Sequence, residues 1–409
     1  MKWLREFTLF RRMDILSFVV GFAIGAGILG LPVSFGASGA GFLPSLTMLI
    51  VVLFFQIATS LYVVEALDVY GPYEYPQLMG VSLGRVAEWA ALLSIVLELT
   101  GAMTAYIIFG GEALFTLSHG AISKDLGMLL YWVFGTLITI FGARAVARAE
   151  EAMVAMIMLL LAMNIWMCLS TPYVSIKNLL WGDWSKMFSV FGIVLFAYAI
   201  HAAIPTAYRT IGMDTEYGKV LTLGLCISCL TYVAWSASYM AILSPSDYTK
   251  TFVGALTGKV YHGIAGLPAP IAVAELGKIR SAAILGYTFG FFTTITSYIA
   301  AAHTTAEILH QYGARRALGG RKTMVLASCL PPLALAFTHL GNFIQWLNFA
   351  GAIGASIYTG ILPSILAIKL RIRKPPSFRP HMPGGIPLAV VSLLFYAYGM
   401  LWFIQHPSG

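Results

Sequence analysis

Charge is what this chain has least of. Only 10% of its 409 residues are Asp, Glu, Lys or Arg, while 59% are hydrophobic. A soluble domain carries about 25% charged residues. The deficit excludes a soluble globular protein and predicts a polytopic membrane protein. Cysteine is scarce too. The four, Cys168, Cys226, Cys229 and Cys329, all fall in apolar spans, so no disulfide framework is implied. Cys226 and Cys229 form a C-x-x-C, but such a pair in a membrane helix is more often apolar filler than a redox or metal site. There is no Walker loop, no H-E-x-x-H and no nucleophile elbow in a loop, so nothing supports an enzyme. Gly25-Ala26-Gly27 lies inside an apolar span rather than after a strand, which excludes a dinucleotide fingerprint. No cleavable signal peptide is expected, because the first apolar segment is too long and lacks a small-residue cleavage site. The net charge of +8 would raise nucleic acid as a partner of a soluble protein; here topology accounts for it, and no nucleic-acid partner is expected.

What is there is length of apolar sequence. Eleven segments reach spanning length, near 14–37, 41–69, 86–117, 126–142, 150–170, 187–208, 219–243, 281–309, 323–340, 343–368 and 386–405. With the N-terminus inside, 18 of the 25 Lys and Arg fall in inner segments, which sets the N-terminus cytoplasmic and the C-terminus outside. The fold class expected is an all-α membrane protein of eleven transmembrane helices. Residues 1–170 form a first repeat of five spans. Residues 171–368 form a second repeat of opposite topology, with an outer loop at 244–280. Residues 369–409 hold a basic, proline-rich connector and an extra span. Within the loop, 263–270 reads as a broken, partly re-entrant outer cover. The connector reads as a lipid-headgroup contact that also sets topology.

Two spans are interrupted in their middle. Gly25-Ala26-Gly27-Ile28-Leu29-Gly30-Leu31-Pro32 breaks the first, and Phe196-Ala197-Tyr198-Ala199-Ile200-His201-Ala202-Ala203-Ile204-Pro205 breaks the sixth. Glycine and proline are poor helix material, and an unpaired backbone group in hydrocarbon costs several kcal/mol. Such breaks survive where they face protein, water or a ligand. Breaks in corresponding spans of two halves point to a transporter binding site.

The first motif, followed by Gly36 and Gly39-Ala40-Gly41-Phe42, resembles the first helix of the amino acid/auxin permease group and of the related aromatic amino acid permeases. Phe196-Ala197-Tyr198-Ala199-x-His201 resembles the sixth-helix signature of that group, and its continuation through Pro205 is closer to the bacterial aromatic permeases. The likeness covers the whole chain in layout and is sharp at these two motifs. It implies the LeuT-type fold and cation-coupled uptake of amino acids.

The chemistry of the breaks stands beside the resemblance. A half-helix N-terminus presents free N–H groups and a positive dipole end, which suits a carboxylate. Unwound carbonyls suit an ammonium. An α-amino acid carries both groups. Gly25, Ala26, Gly27, Ile28 and Gly30 are the candidates for the carboxylate side, where glycine permits close approach. Phe196, Ala197, Tyr198, Ala199 and His201 are the candidates for the other side. The competing reading of the glycines is close helix packing. His201 either serves function, as its family counterpart suggests, in substrate binding and in proton coupling, or only shapes the kink. Tyr198 either meets substrate or is a core aromatic.

Intramembrane acids cost roughly 2.5–3.5 kcal/mol at a helix centre, so each asks for a purpose. Glu98, near the middle of span three, is the first proton-carrier candidate, with a structural hydrogen bond as the alternative. Glu112 lies about four turns later. Glu65 and Asp68, at the inner end of span two, read as interfacial or gating groups. In the fold that the resemblance implies, hydroxyls of span eight meet first-helix carbonyls around a sodium ion; Gly21, Ile24, Ser297 and Thr304 would supply them here. Threonine in a membrane helix also bonds its own i−4 carbonyl. Some proton-coupled relatives of the fold place a lysine of span five there, and this span five has none. His303 is the proton site that would stand in its place.

The reading is a secondary transporter of the prokaryotic plasma membrane. It imports an amino acid, aromatic or otherwise neutral, with H⁺ and without a cofactor. Its partners are that substrate and the lipid bilayer. Na⁺ coupling is the alternative within the class, and a non-transporting amino acid receptor or a passive channel the alternatives outside it.

Overall fold

In hydrocarbon every backbone N–H and C=O needs an internal partner, and a helix supplies them all within one segment. The computed structural model describes residues 16–406 except 18, 22, 119, 142, 212–215, 280 and 315–319, and these are helical almost throughout. Of the basic residues behind the expected orientation, Lys2, Arg5, Arg11, Arg12, Arg280, Arg315 and Arg316 lie outside the described residues.

The first half of the chain holds α1 (Gly27–Ala37), α2 (Phe42–Tyr70), α3 (Tyr75–Leu83), α4 (Arg85–Leu117), α5 (Lys124–Phe141) and α6 (Ala143–Leu169). The second half runs through α7 (Phe191–Ala197), α8 (Ile204–Ile211), α9 (Tyr217–Ile242), α10 (Ala269–Glu275), α11 (Ser281–Leu309), α12 (Arg321–Phe337) and α13 (Phe343–Phe349). A π-helical stretch, Ala350–Ile361, joins α13 to α14 (Leu362–Arg373), and α15 (Gly385–Gln405) follows. Among the described residues, eight helical stretches are long and apolar enough to cross a membrane. The other three expected segments carry the shorter apolar helices Gly27–Ala37 and Met156–Leu169 and the proline-bearing α12.

Local chemistry sets the ends. Asn342 and Gln345 cap α13 reciprocally: each side chain accepts from the other's backbone amide at 3.0 Å. The π stretch is rich in glycine and alanine, and its glycines are points of close approach. Gly354 stands against the backbone of Glu98, and Gly351 against Gly192 and Phe196. π turns are rare and concentrate at functional sites.

One end of the bundle is covered by the 244–280 segment. It contains α10, buried at every residue, and a hairpin of β1 (Thr251–Val253) and β2 (Val260–His262). Phe252 and Tyr261 pair across the hairpin with stacked rings 5.3 Å apart. Asp247, 1% exposed, is bridged by Lys250 at 2.6 Å and by Lys278. Burial opposes its ionisation, but hydrogen bonds from Lys250, Lys278 and Ser244 outweigh that and bring its carboxyl down to about 2. The Tyr248 ring lies on the α-carbon of Gly36, closing this end over α1.

At the opposite end, Glu65 is fully buried rather than interfacial. Arg371 of α14 grips it with two bonds of 2.8 and 3.0 Å. The backbone amides of His381 and Met382 donate to the same carboxylate at 2.8 and 3.1 Å. The connector is therefore tied into the protein at Arg371, where the sequence suggested a lipid contact. Asp68 accepts from Tyr208 of α8 at 2.6 Å and pairs with His381 at 2.7 Å.

Candidate functional site

The first break falls at Ile24–Ala26. The described backbone before it is helical up to Ala23, and α1 begins at Gly27. The Gly25 amide folds back onto the Ala23 carbonyl at 2.8 Å, and Ile28 reaches Gly25 only at 3.4 Å. No described backbone group accepts from the Gly27 amide. The second break follows Ala197. Tyr198, Ala199 and Ile200 leave the helical ladder, His201–Ala203 form a 3-10 turn, and α8 resumes at Ile204. No described donor meets the Ala199 carbonyl. The breaks touch: a Cβ on Gly27 would come within 3.1 Å of the Ala197 α-carbon and 3.2 Å of the Phe196 ring. Glycine lets the two broken segments come this close, since any Cβ there would press on its neighbours.

A cavity of about 620 Å³ opens from this junction, within the size range of small-molecule sites. Gly25, Ala26, Gly27, Phe196, Ala197 and Ala199 form its floor. Ile95, Glu98, Leu99, Ala102 and Tyr106 of α4 line one wall, and Thr296, Ser297, Ala300, Ala301, His303 and Thr304 of α11 another. Tyr75 and Tyr358 complete it. It reaches the end of the bundle that carries Glu74, Thr206, Glu307 and Gln311. The other end is closed by Tyr248 on Gly36.

Glu98 is 5% exposed and stands on the cavity wall. The Tyr358 side chain is within hydrogen-bonding reach of its carboxyl. The Tyr75 hydroxyl donates to the Tyr358 carbonyl, and the two rings meet edge to face, 5.9 Å apart at 81°. These tyrosines escaped sequence reasoning. Tyr106 had a signal, since Glu98, Ala102 and Tyr106 follow a helical i, i+4, i+8 course. Tyr358 had none, because its position depends on the π turn.

Four expected substrate contacts lie elsewhere. Ile28 and Gly30 are buried away from the cavity, Gly30 against Ile193. Tyr198 is fully buried and packs edge to face on Tyr232, 5.2 Å away. His201 is fully buried off the cavity, its Nε2 2.9 Å from the Thr59 hydroxyl and 3.3 Å from that of Ser60. It ties the second break to α2, which is the kink-shaping alternative. His303 does reach the cavity, but its Nδ1 is 3.1 Å from Arg321 Nη2. A guanidinium only donates, so that contact occupies the lone pair a carried proton would use.

The sodium ligand set also needs correction. Gly21, Ile24, Ser297 and Thr304 all line the cavity. Ser297 and Thr304 are seven residues apart on the unbroken α11, about 10.5 Å along its axis. Two oxygens on one hard cation lie within about 5 Å of each other. All four cannot hold one ion.

A family model described as the tryptophan/tyrosine permease family matches residues 13–403. The chain is 25% identical over 363 residues to tyrosine-specific transport system 1 of Haemophilus influenzae, covering 86% of each protein. It is 24% identical over 394 residues to tyrosine-specific transport system 2 of the same organism, covering 94% of this chain and 93% of that one. It is 25% identical over 405 residues to the tryptophan-specific transport protein of Pseudomonas aeruginosa, covering 92% and 90%. Among solved structures it shares the fold of MhsT in complex with L-phenylalanine, with a TM-score of 0.67 at 13% identity, covering 96% of this chain and 98% of that one.

Proposed function

The chain belongs to the tryptophan/tyrosine permease family, and on that premise we propose that it imports an aromatic amino acid together with H⁺ by alternating access. The observation that carries this reading is the junction of the two breaks at the floor of a largely apolar cavity. The unbonded Gly27 amide and its neighbours at the start of α1 receive the substrate carboxylate. The open Ala199 carbonyl receives the amine. Leu99, Tyr106 and Phe196 surround the side chain, and an aromatic ring is the group that such a wall favours. Relatives named for tyrosine and tryptophan, and a fold neighbour in complex with L-phenylalanine, support the same substrate class.

Glu98 is the proton carrier in this reading. Among the described residues it is the one acid on the cavity wall that lies beside neither the mouth nor an arginine, and a carboxylate facing hydrocarbon would be costly. The open end is cytoplasmic, the N-terminus lies inside and the C-terminus outside, in a bacterial plasma membrane. Eleven spans are arranged as two inverted units, 1–170 and 171–368, with 369–409 appended. The bundle of spans one, two, six and seven rocks against spans three, four, eight and nine.

The test is uptake of labelled tryptophan, tyrosine and leucine by proteoliposomes under an imposed pH gradient, and separately under a sodium gradient. Concentrative uptake of the aromatic pair driven by inward protons is the expected result. Uptake driven only by sodium would discard the proton role. Binding without uptake or counterflow would make the protein a receptor.

A further inference from the structure

A tyrosine that does not touch the cavity stands between the two breaks. Tyr232 of α9 is fully buried. Its hydroxyl lies 2.5 Å from the carbonyl oxygen of Ala23 and 2.6 Å from that of Ala197. Each carbonyl is the last of its half-helix. In an unbroken helix Ala23 would accept from the Gly27 amide and Ala197 from the His201 amide; neither bond is made. A hydroxyl has one proton to donate, so the Tyr232 proton is shared between the two carbonyls, and one side chain serves the ends of two half-helices. The contact between Gly27 and Ala197 is van der Waals and allows sliding, whereas a hydrogen bond is directional. The anchor itself is firm: α9 is a continuous helix of 26 residues, and the Tyr232 ring packs against Tyr198.

We propose that Tyr232 is a positioning residue that pins the first break to the second. It thereby fixes the separation between the amides that take a substrate carboxylate and the carbonyl that takes its amine. This rests on the amino acid transport reading for its consequence, though not for its geometry. The breaks then move as one body with α9, and recognition of a zwitterion, which must reach both breaks at once, depends on a hydroxyl the substrate never meets.

The test compares Tyr232→Phe with Tyr239→Phe in the full chain, in lipid nanodiscs. Tyr239 is also buried on α9, and its hydroxyl donates to Asn164 at 3.0 Å, away from the breaks. Two readouts are taken. The first is amide hydrogen exchange in peptides covering 20–30 and 195–205, which needs no ligand. Y232F is expected to exchange at least tenfold faster in both peptides, and Y239F to match the parent. The second is the ratio of inhibition constants of 3-phenylpropionate and phenylalanine against labelled phenylalanine. Loss of the pin should shrink this preference for the zwitterion at least fivefold in Y232F and leave it intact in Y239F. Unchanged exchange at both breaks, or equal behaviour of the two variants, would overturn the proposal. A parent protein that binds no aromatic amino acid would refute the transport reading instead, and the exchange comparison would still decide the role of Tyr232.

Discussion

Replacing Glu98 by Gln removes one ionisable proton and little else. The side chain is 5% exposed, its backbone is held against Gly354, and the amide keeps an acceptor for Tyr358. The fold should therefore lose no more than about 1 kcal/mol, the worth of one ordinary hydrogen bond. The energetic effect on transport is larger. A pH difference of one unit supplies about 1.4 kcal/mol per proton, or tenfold accumulation. A potential of 100 mV supplies about 2.3 kcal/mol per charge, or about 50-fold. If one proton on Glu98 accompanies each zwitterion, E98Q forfeits both factors. Its steady-state accumulation ratio in proteoliposomes should fall to about one under any proton gradient. Counterflow of labelled tryptophan should persist in part and lose its pH dependence. Uphill, proton-driven uptake by E98Q would refute the assignment outright and turn attention to groups nearer the cavity mouth.

Other perturbations test the packing around this site. Gly354→Ala places a Cβ 2.6 Å from that of Glu98 and 2.9 Å from its backbone, so overpacking should lower stability by about 1–3 kcal/mol; Gly320→Ala, with open space around it, should leave the melting temperature in detergent unchanged. Arg371→Ala strands the fully buried Glu65 and should cost about 3–5 kcal/mol, whereas the double change Arg371→Met with Glu65→Leu should recover most of it in the same melting assay. The hydrogen bond to Asp68 raises the His381 pKa above its ordinary 6.5 despite burial. Because the folded value is the higher one, this contact stabilises fully below the unfolded value and fades as pH rises through the raised value. The melting difference between the parent and His381→Gln should accordingly be largest near pH 6 and shrink above it.

Both breaks were legible because they violate a strong rule: glycine and proline in the middle of a spanning helix need a reason. Side-chain direction was not. His201 and Tyr198 sit within or next to the second break, yet the unwound backbone sends one to Thr59 and the other to Tyr232, and no local pattern encodes that choice. Ile28 and Gly30 share the first motif with Gly27 but occupy other faces of α1. The sodium set failed for a reason already present in the sequence, since Ser297 and Thr304 differ by seven positions on one helix. Arg371 looked like one more basic residue of a connector, and only its burial opposite Glu65 distinguishes it from a lipid contact.

The two ends of the protein are fastened by different physics, and this bears on the transport cycle. At the cavity mouth the ties are exposed ion pairs, whereas the buried Glu65–Arg371 pair at the same end lies off the cavity. Arg209 with Glu74 is 39% and 26% exposed, and Arg321 with Glu307 is 39% and 43% exposed. Such pairs are worth about 0–1 kcal/mol each, so rearranging them costs little. At the closed end, Tyr248 is 5% exposed and its ring packs against Gly36. An aromatic side chain covering about 150–250 Å² stabilises closure by about 4–6 kcal/mol at most. If the open end is cytoplasmic, as proposed above, the empty protein rests open to that side, and each 1.4 kcal/mol of that bias lowers apparent affinity from the outside tenfold. An ionised, empty Glu98 would carry one negative charge, which an inside-negative potential drives outward with about 2.3 kcal/mol per 100 mV. That offsets roughly half of the closure energy during the return step. The acid on the cavity wall and the tyrosine on Gly36 are in this sense matched: one supplies the charge that the potential acts on, and the other sets the barrier it must help to cross.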